Sequence, residues 1–166
     1  MNEKVERRKF ETFEALKSEI GNELGISPWH TVDQGQINTF AEATGDHQWI
    51  HVDVDRATNE SPYGAPIAHG HLTLSLVPML ISNTIEYLPR TAGINYGLDK
   101  VRFMAPVKAG KRVRGKVSLR NAERINDTTV KVLYSTVVEI EGEKKPACVA
   151  ESIALYLNQN INLKLG

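Results

Sequence analysis

Hydrophobic positions follow two different spacings along the chain. In residues 10–24 and 33–45 apolar side chains recur every three or four positions, which predicts amphipathic helices. Between residues 70 and 82 apolar side chains lie on every side of the axis, which predicts a helix that is buried all round and kinked at Pro78. From residue 93 onward the spacing becomes two, which is typical of β-strands.

The second half of the chain predicts four consecutive strands, over residues 93–104, 111–120, 128–140 and 147–157. Turn residues at 126–127 and 141–143 separate the last three. Strands joined by such short connections form an antiparallel sheet. An apolar helix has to be covered on every side, and a curved sheet wrapped around it does this with few strands. We therefore predict an α+β fold.

The helix predicted over residues 33–45 has clear signals at both ends. Asp33 followed by Gln36 is a capping box. Its inward stripe is predicted to be Ile37, Phe40, Ala41 and Thr44. Gly45 suits the left-handed residue that ends a helix, so Asp46 is expected to leave it in a defined direction. Residues 46–52 are predicted to be loop or short extended structure, and residues 53–57 a helical turn.

Length and composition describe an ordinary globular chain of 166 residues, 41% hydrophobic and 24% charged. We predict a flexible tail over residues 1–9 and a single domain over residues 10–166. The formal net charge is zero, so no overall field attracts nucleic acid or membrane. The single cysteine excludes an intrachain disulfide, and residues 1–9 do not resemble a signal peptide. Both observations favour a cytoplasmic location.

Candidate chemistry is concentrated between Thr44 and His71, where four of the five histidines lie. Asp46 and His51 can hold one water between them if both side chains lie within hydrogen-bond reach of it. Gly70 begins the predicted buried helix, where the first N–H groups have no internal partner and favour negative charge. Loss of one such donor at a developing oxyanion typically costs about 3–4 kcal/mol.

Other residues in the chain are open to two interpretations. His69 and His71 could suggest a metal site, but residues two apart on a helix do not share a face, so no metal is predicted. Trp49 and Tyr63 either line a mostly apolar ligand channel or pack structurally. Seven basic residues between 100 and 116 form either a patch for phosphates or a solvated strand face. Cys148 is expected to be a small buried residue.

Three segments together resemble a known family. They read Phe40-Ala41-x2-Thr44-Gly45-Asp46-x4-His51, then Ile67-Ala68-His69-Gly70, then Asn95-Tyr96-Gly97-Leu98-Asp99-Lys100-Val101-Arg102-Phe103-x2-Pro106-Val107-x2-Gly110. In this order the chain resembles the MaoC-like (R)-specific enoyl-CoA hydratases, in the branch that includes NodN-like proteins, over roughly residues 25–157. The common pattern has Asn-Pro where this chain has Gln48-Trp49.

The resemblance implies a single hot-dog fold and a homodimer that pairs two sheets edge to edge. It implies reversible hydration of trans-2-enoyl-CoA to (R)-3-hydroxyacyl-CoA in fatty acid metabolism. Asp46 would take the proton of a water that His51 positions, and the Gly70 backbone would bind the thioester oxygen. Substrate contacts are expected at Trp49, Tyr63, Ile67, His69 and Arg102. No cofactor is expected, since coenzyme A belongs to the substrate. A hot-dog acyl-CoA thioesterase and a non-catalytic acyl-CoA-binding protein are the alternatives.

Overall fold

Helices dominate the first half of the chain and long strands the second half. The computed structural model describes residues 6–158. The elements in chain order are β1 (Arg8–Phe10), α1 (Phe13–Lys17), β2 (Glu23–Ile26), β3 (His30–Thr31), α2 (Gln34–Thr44), α3 (Trp49–Val52), α4 (Val54–Glu60), α5 (Gly70–Ser75), α6 (Val77–Thr84), β4 (Ile85–Tyr87), β5 (Arg90–Phe103), β6 (Arg112–Asn126), β7 (Thr129–Ile140) and β8 (Cys148–Asn158). None of the helices in the described residues has the length and apolar character needed to cross a membrane.

The main sheet confirms the predicted antiparallel arrangement, and its strands do not follow their order in the chain. Its strands run β2-β6-β7-β8-β5, with β3 added beside β6, while β1 and β4 form a separate parallel pair. β5 pairs with β8 and not with its sequence neighbour β6. The connection over residues 104–111 therefore passes the ends of β7 and β8.

The central helix consists of α5 and α6, separated at Leu76, with Pro78 in the first turn of α6. α6 packs on β6 and β7, with Leu80 fully buried. The expectation that the helix is buried on all sides is wrong for a single chain: the exposed positions are His71, Ser75, Pro78 and Asn83. On that side a groove of about 370 Å³ lies between the helix and strands β5 and β8.

The alternation predicted for the strands is confirmed on β6 and β7, where alternate apolar residues are buried. On β8 the buried residues are instead Cys148, Ala150 and Tyr156. The branched residues 149, 153, 155 and 157 share the opposite face and are half-buried. Burial raises the pKa of the Cys148 thiol to about 11, which agrees with a packing role.

Two expectations near the N-terminus are wrong. The helix predicted over residues 10–24 is only the five residues of α1, and Glu23–Ile26 is a strand that pairs with β6. Arg8–Phe10 forms β1 beside β4, and Phe10 is buried, so the predicted tail does not extend to residue 9. In both cases pairing with distant strands outweighs local propensity. Residues 1–5 and 159–166 lie outside the described residues.

Candidate active site

The end of α2 directs Asp46. Gly45 has φ +75° and donates its N–H to the carbonyl of Ala41 at 2.8 Å, as predicted for the residue that ends this helix. The Asp46 side chain is 56% exposed, and its Oδ1 accepts the N–H of Gln48 at 3.4 Å. The carboxylate is therefore accessible to water while the helix end fixes its backbone.

Both ends of α2 were read largely correctly from the sequence. Asp33 accepts the N–H of Gln36 at 2.8 Å, which is one half of the predicted capping box. The Gln36 side chain does not return the bond but lies 3.1 Å from Nε2 of His30. Thr44 is exposed, contrary to the expected inward stripe, because its hydroxyl donates to the carbonyl of Phe40 one turn back.

His51 lies on α3, a single helical turn, where a loop or extended segment was expected for residues 46–52. It is only 6% exposed. Its Nδ1 lies 2.6 Å from the carbonyl oxygen of Ile67, and its own carbonyl accepts Nε2 of Gln34 at 2.7 Å. Since a carbonyl can only accept, Nδ1 carries the proton, and Nε2 of the neutral ring is an acceptor.

Gln48-Trp49, which replace the Asn-Pro pair of the common pattern, lie at the start of α3. Gln48 occupies the N-cap position and makes no side-chain capping bond. Trp49 is half-buried, with the guanidinium of Arg56 on α4 4.3 Å from its ring centroid. This cation–π contact stabilises the short turn against α4, so the turn that carries His51 forms without the Asn-Pro pair.

Burial lowers the pKa of His51 below its ordinary value of 6.5, and neighbouring His69 lowers it further. The hydrogen bond to Ile67 and the charge of Asp46 act in the opposite direction, but the net shift is downward. The buried ring is therefore neutral at pH 7, and its Nε2 can accept a hydrogen bond from water.

His69 joins the two predicted catalytic side chains. It is 3% exposed, and its ring stacks on the ring of His51 with centroids 3.8 Å apart. Its Nε2 donates to the backbone carbonyl of Asp46 at 2.9 Å. His69 was predicted only as a substrate contact, since nothing in the spacing of the sequence indicates that it touches both Asp46 and His51.

Asp46, His51 and His69 each offer one ligand atom, and these three atoms lie within 4.8 Å of one another. That spacing allows one water to bond to two of the groups at once. It also has the donor types of a metal site. However, the His69 nitrogen near the Asp46 carboxylate, 3.9 Å from Oδ2, is the one that already donates to the Asp46 carbonyl. A metal would require loss of that bond.

A pocket of about 300 Å³ lies beside His51. Gly70, the first residue of α5, lines it, and its N–H has no partner within the helix. A Cβ at Gly70 would lie 3.1 Å from the ring of Phe103, so a side chain here would crowd the pocket. The other lining residues are Tyr63, Ile67, Ala68, Thr73, Met104, Ala105, Pro106, Val107 and Ala147.

The predicted substrate contacts separate into two groups. Tyr63 and Ile67 line the pocket, whereas Trp49, His69 and Arg102 are not among its lining residues. Arg102 is exposed on β5 and donates to the carbonyl of Val101. The sequence analysis did not predict that Thr73 and residues 103–107 line this pocket. Residues 104–107 reach the pocket because the 104–111 connection crosses the end of the sheet. Substrate binding by all five residues stays a prediction.

The remaining candidates lie outside this cluster. His71 and His47 are exposed, and His47 lies 3.6 Å from Glu42. Most of the basic run between residues 100 and 116 forms ion pairs with glutamates, namely Lys100–Glu151, Lys111–Glu143, Arg112–Glu141, Arg114–Glu139 and Lys116–Glu23. These pairs favour the solvated strand face for most of the run.

Comparisons with known proteins find a matching family model and related sequences. The sequence matches the family described as MaoC like domain over residues 15–140. It is 49% identical over 150 residues to 3-hydroxyacyl-thioester dehydratase Z of Mycobacterium tuberculosis, covering 90% of this chain and 99% of that protein. It is 48% identical over 141 residues to nodulation protein N of Rhizobium meliloti, covering 84% and 88%.

A solved structure shares the fold. The (R)-hydratase from A. caviae involved in PHA biosynthesis superimposes with a TM-score of 0.62 at 24% identity, covering 80% of this chain and 95% of that chain. The antiparallel sheet and central helix described above are therefore the predicted hot-dog fold.

Proposed function

The chain belongs to the MaoC-like domain family, and we propose that it catalyses the reversible hydration of trans-2-enoyl-CoA to (R)-3-hydroxyacyl-CoA. A hydratase or dehydratase role on a thioester follows from its relatives, whose names include 3-hydroxyacyl-thioester dehydratase and (R)-hydratase. The single observation that carries the finer proposal is the approach of the Asp46 and His51 ligand atoms to within 4.8 Å, since His51 also lines the Gly70 pocket.

In this mechanism one water bridges Asp46 and Nε2 of His51. The neutral His51 ring, held by the carbonyl of Ile67, accepts a hydrogen bond from the water and orients it. Asp46 accepts the other proton as the water oxygen attacks C3 of the enoyl thioester. The same proton then goes from Asp46 to C2, so hydroxyl and hydrogen add to one face of the double bond.

The thioester carbonyl becomes negatively charged as the enolate forms, and Gly70 is proposed to stabilise it. The N–H groups at the start of α5 have no internal partner and favour negative charge. Because glycine has no side chain, the carbonyl can approach the backbone closely. The proton acceptor, the group that orients the water and the hydrogen-bond donor to the thioester oxygen would all come from the protein, so the proposed mechanism includes no separate cofactor.

The test of this function is the loss of enoyl-thioester absorbance with crotonyl-CoA and longer trans-2-enoyl-CoAs, with the product analysed for its (R) configuration. A parallel assay for free thiol with a saturated acyl-CoA separates hydration from thioester cleavage. Thiol release without hydration, or an (S) product, would contradict the proposal.

The low pKa of His51 gives an expected pH dependence of stability. The unfolded chain takes up a proton at His51 at higher pH than the folded chain does, since burial lowers the folded pKa. His51 therefore stabilises the fold above pH about 6.5, and this contribution is lost as pH falls through the folded pKa. Thermal unfolding between pH 7.5 and 5.5 should show a smaller loss of Tm in His51→Gln than in the wild type. The control is His71→Gln at an exposed position, which should behave as the wild type; an equal loss in all three proteins would refute the expectation.

The two contacts of His69 can be tested separately. His69→Phe keeps a ring beside His51 but loses the bond to the Asp46 carbonyl, whereas His69→Gln keeps a donor but loses the ring. Each variant is expected to lower kcat about tenfold, because a small displacement of catalytic groups is costly, while KM changes little. A rise in KM with unchanged kcat would instead indicate that His69 only binds substrate.

The homodimer is proposed from the surface of β5. This strand is the edge of the sheet, and the apolar side chains of Ile94, Tyr96 and Leu98 on it are 46–63% exposed. An uncovered edge strand with exposed apolar residues is a template for pairing with another chain. A second copy that pairs its own β5 here gives a two-fold dimer.

Light scattering after size-exclusion chromatography tests the dimer. The wild type is expected at twice the chain mass of 18.5 kDa, and Ile94→Lys/Leu98→Lys at the monomer mass. Ile125→Lys provides a matched control, because Ile125 is 53% exposed but lies on β6. A double variant that stays dimeric would exclude β5 as the interface.

A further inference from the structure

Two connections meet at one end of the main sheet. The β5–β6 connection, residues 104–111, passes the β7–β8 loop, residues 141–147, and the N–H of Met104 donates to the carbonyl of Ala147 at 2.9 Å. Between the two connections lies a cavity of about 490 Å³, separate from the Gly70 pocket. Ala105 and Pro106 line both spaces, so the two adjoin across this short segment.

The cavity is strongly basic. Lys108 and Lys111 line it from one connection, and Lys144 and Lys145 from the other, against the single carboxylate of Glu143. Glu143 lies 3.6 Å from Lys111, and the other three lysines form no ion pair with any residue between 6 and 158. The lining of this cavity therefore carries a net positive charge.

The cationic residues at the start of the neighbouring strand β6, unlike these three lysines, form ion pairs. Arg112, Arg114 and Lys116 are each paired with a glutamate, so the basic surface does not continue along β6. A concave site with flexible ammonium groups suits a small phosphorylated molecule, because lysine binds phosphate as a mobile point charge. An acidic protein carrier would be favoured by a basic surface that continues onto β6, where these cations are already paired with glutamates.

We propose that this lysine cavity binds the phosphate groups of coenzyme A while the thioester occupies the adjoining Gly70 pocket. The inference rests on the proposed function and adds the place where the nucleotide end of the coenzyme A thioester binds. The pantetheine arm separates the thioester from the diphosphate and 3′-phosphate, so the phosphates need a basic site outside a reaction pocket of about 300 Å³.

Kinetics with two thioesters tests the site. Crotonyl-CoA and crotonyl-pantetheine share the acyl group and the pantetheine arm, but only the first carries the nucleotide phosphates. Lys144→Gln/Lys145→Gln, at two exposed loop positions, is expected to raise KM for crotonyl-CoA about fivefold with kcat within twofold, and to leave crotonyl-pantetheine unchanged. Lys9→Gln/Lys17→Gln removes the same charge from β1 and α1 and is expected to change neither.

Binding of coenzyme A itself, measured by calorimetry, does not depend on turnover. The Lys144→Gln/Lys145→Gln variant should bind it about fivefold more weakly than the wild type, and pantetheine equally well. Equal losses for both thioesters, an unchanged affinity for coenzyme A, or an effect confined to a crotonyl carrier-protein substrate would each overturn the proposal. A wild type that binds coenzyme A through these lysines but hydrates neither thioester would refute the hydratase function alone.

Discussion

Replacing Asp46 by asparagine is expected to lower kcat for enoyl-CoA hydration by about 10²- to 10⁴-fold, the range that a positioned general base contributes. Asparagine has nearly the same shape but cannot accept the water proton. The change should leave the fold intact, because the carboxylate is half exposed and its contact with the Gln48 N–H is long. The bond from His69 goes to the Asp46 backbone and is unaffected by the substitution.

The measurement is kcat and KM with crotonyl-CoA, together with the Tm of each protein. Asp55→Asn is the matched control, because Asp55 is an exposed acid on the neighbouring α4 and its substitution removes the same charge. It is expected to retain full activity. Wild-type kcat in Asp46→Asn would remove Asp46 from the mechanism, and a large fall in Tm would attribute the loss to folding.

The second large effect is on stability and concerns the contact between the central helix and the sheet. A Cβ on Gly115 of β6 would lie 2.9 Å from Cβ of Leu80 on α6, a separation that carbon atoms do not tolerate. Leu80 is fully buried and its Cβ is rigidly attached to the helix, so α6 itself would have to move. Gly115→Ala is expected to destabilise the fold by about 1–3 kcal/mol, the usual cost of overpacking.

Thermal unfolding of Gly115→Ala should show a Tm lower by roughly 5 °C, since 1 kcal/mol corresponds to about 2–4 °C at this chain length. Gly93→Ala is the control, because its added Cβ would make ordinary contacts, the nearest at 3.5 Å with Tyr156. An unchanged Tm in Gly115→Ala would mean that the helix is not held against β6 at this point.

Local signals were sufficient where a residue's role depends on its chain neighbours. The Asp33 cap and the left-handed Gly45 are of this kind, because a helix end is decided by a few adjacent residues. The alternation on β6 and β7 is likewise local, since the side-chain period of a strand is fixed by its backbone. The short helical turn that carries His51 was missed because four residues have too little periodicity to identify a helix.

Contacts between residues that are distant in sequence could not be predicted from local patterns. The pairing of β5 with β8, the stacking of His69 on His51 and the cavity between Lys108 and Lys145 all depend on where the 104–111 connection and the loops lie in space. The exposed face of the central helix could not be predicted for the same reason. The hydrophobicity of a helix indicates that it is buried in the fold, but not which strands bury it.

The sequence by itself determined the class of fold, the direction in which Asp46 leaves α2 and the start of a helix at Gly70, since each follows from local backbone preference or spacing. Only the tertiary structure decided that His69 links Asp46 to His51, that the lysines of two loops share one cavity, and that Gly115 makes room for Leu80. The physical reason is that contacts between residues far apart in the chain depend on how strands and helices pack, and no local pattern records that packing.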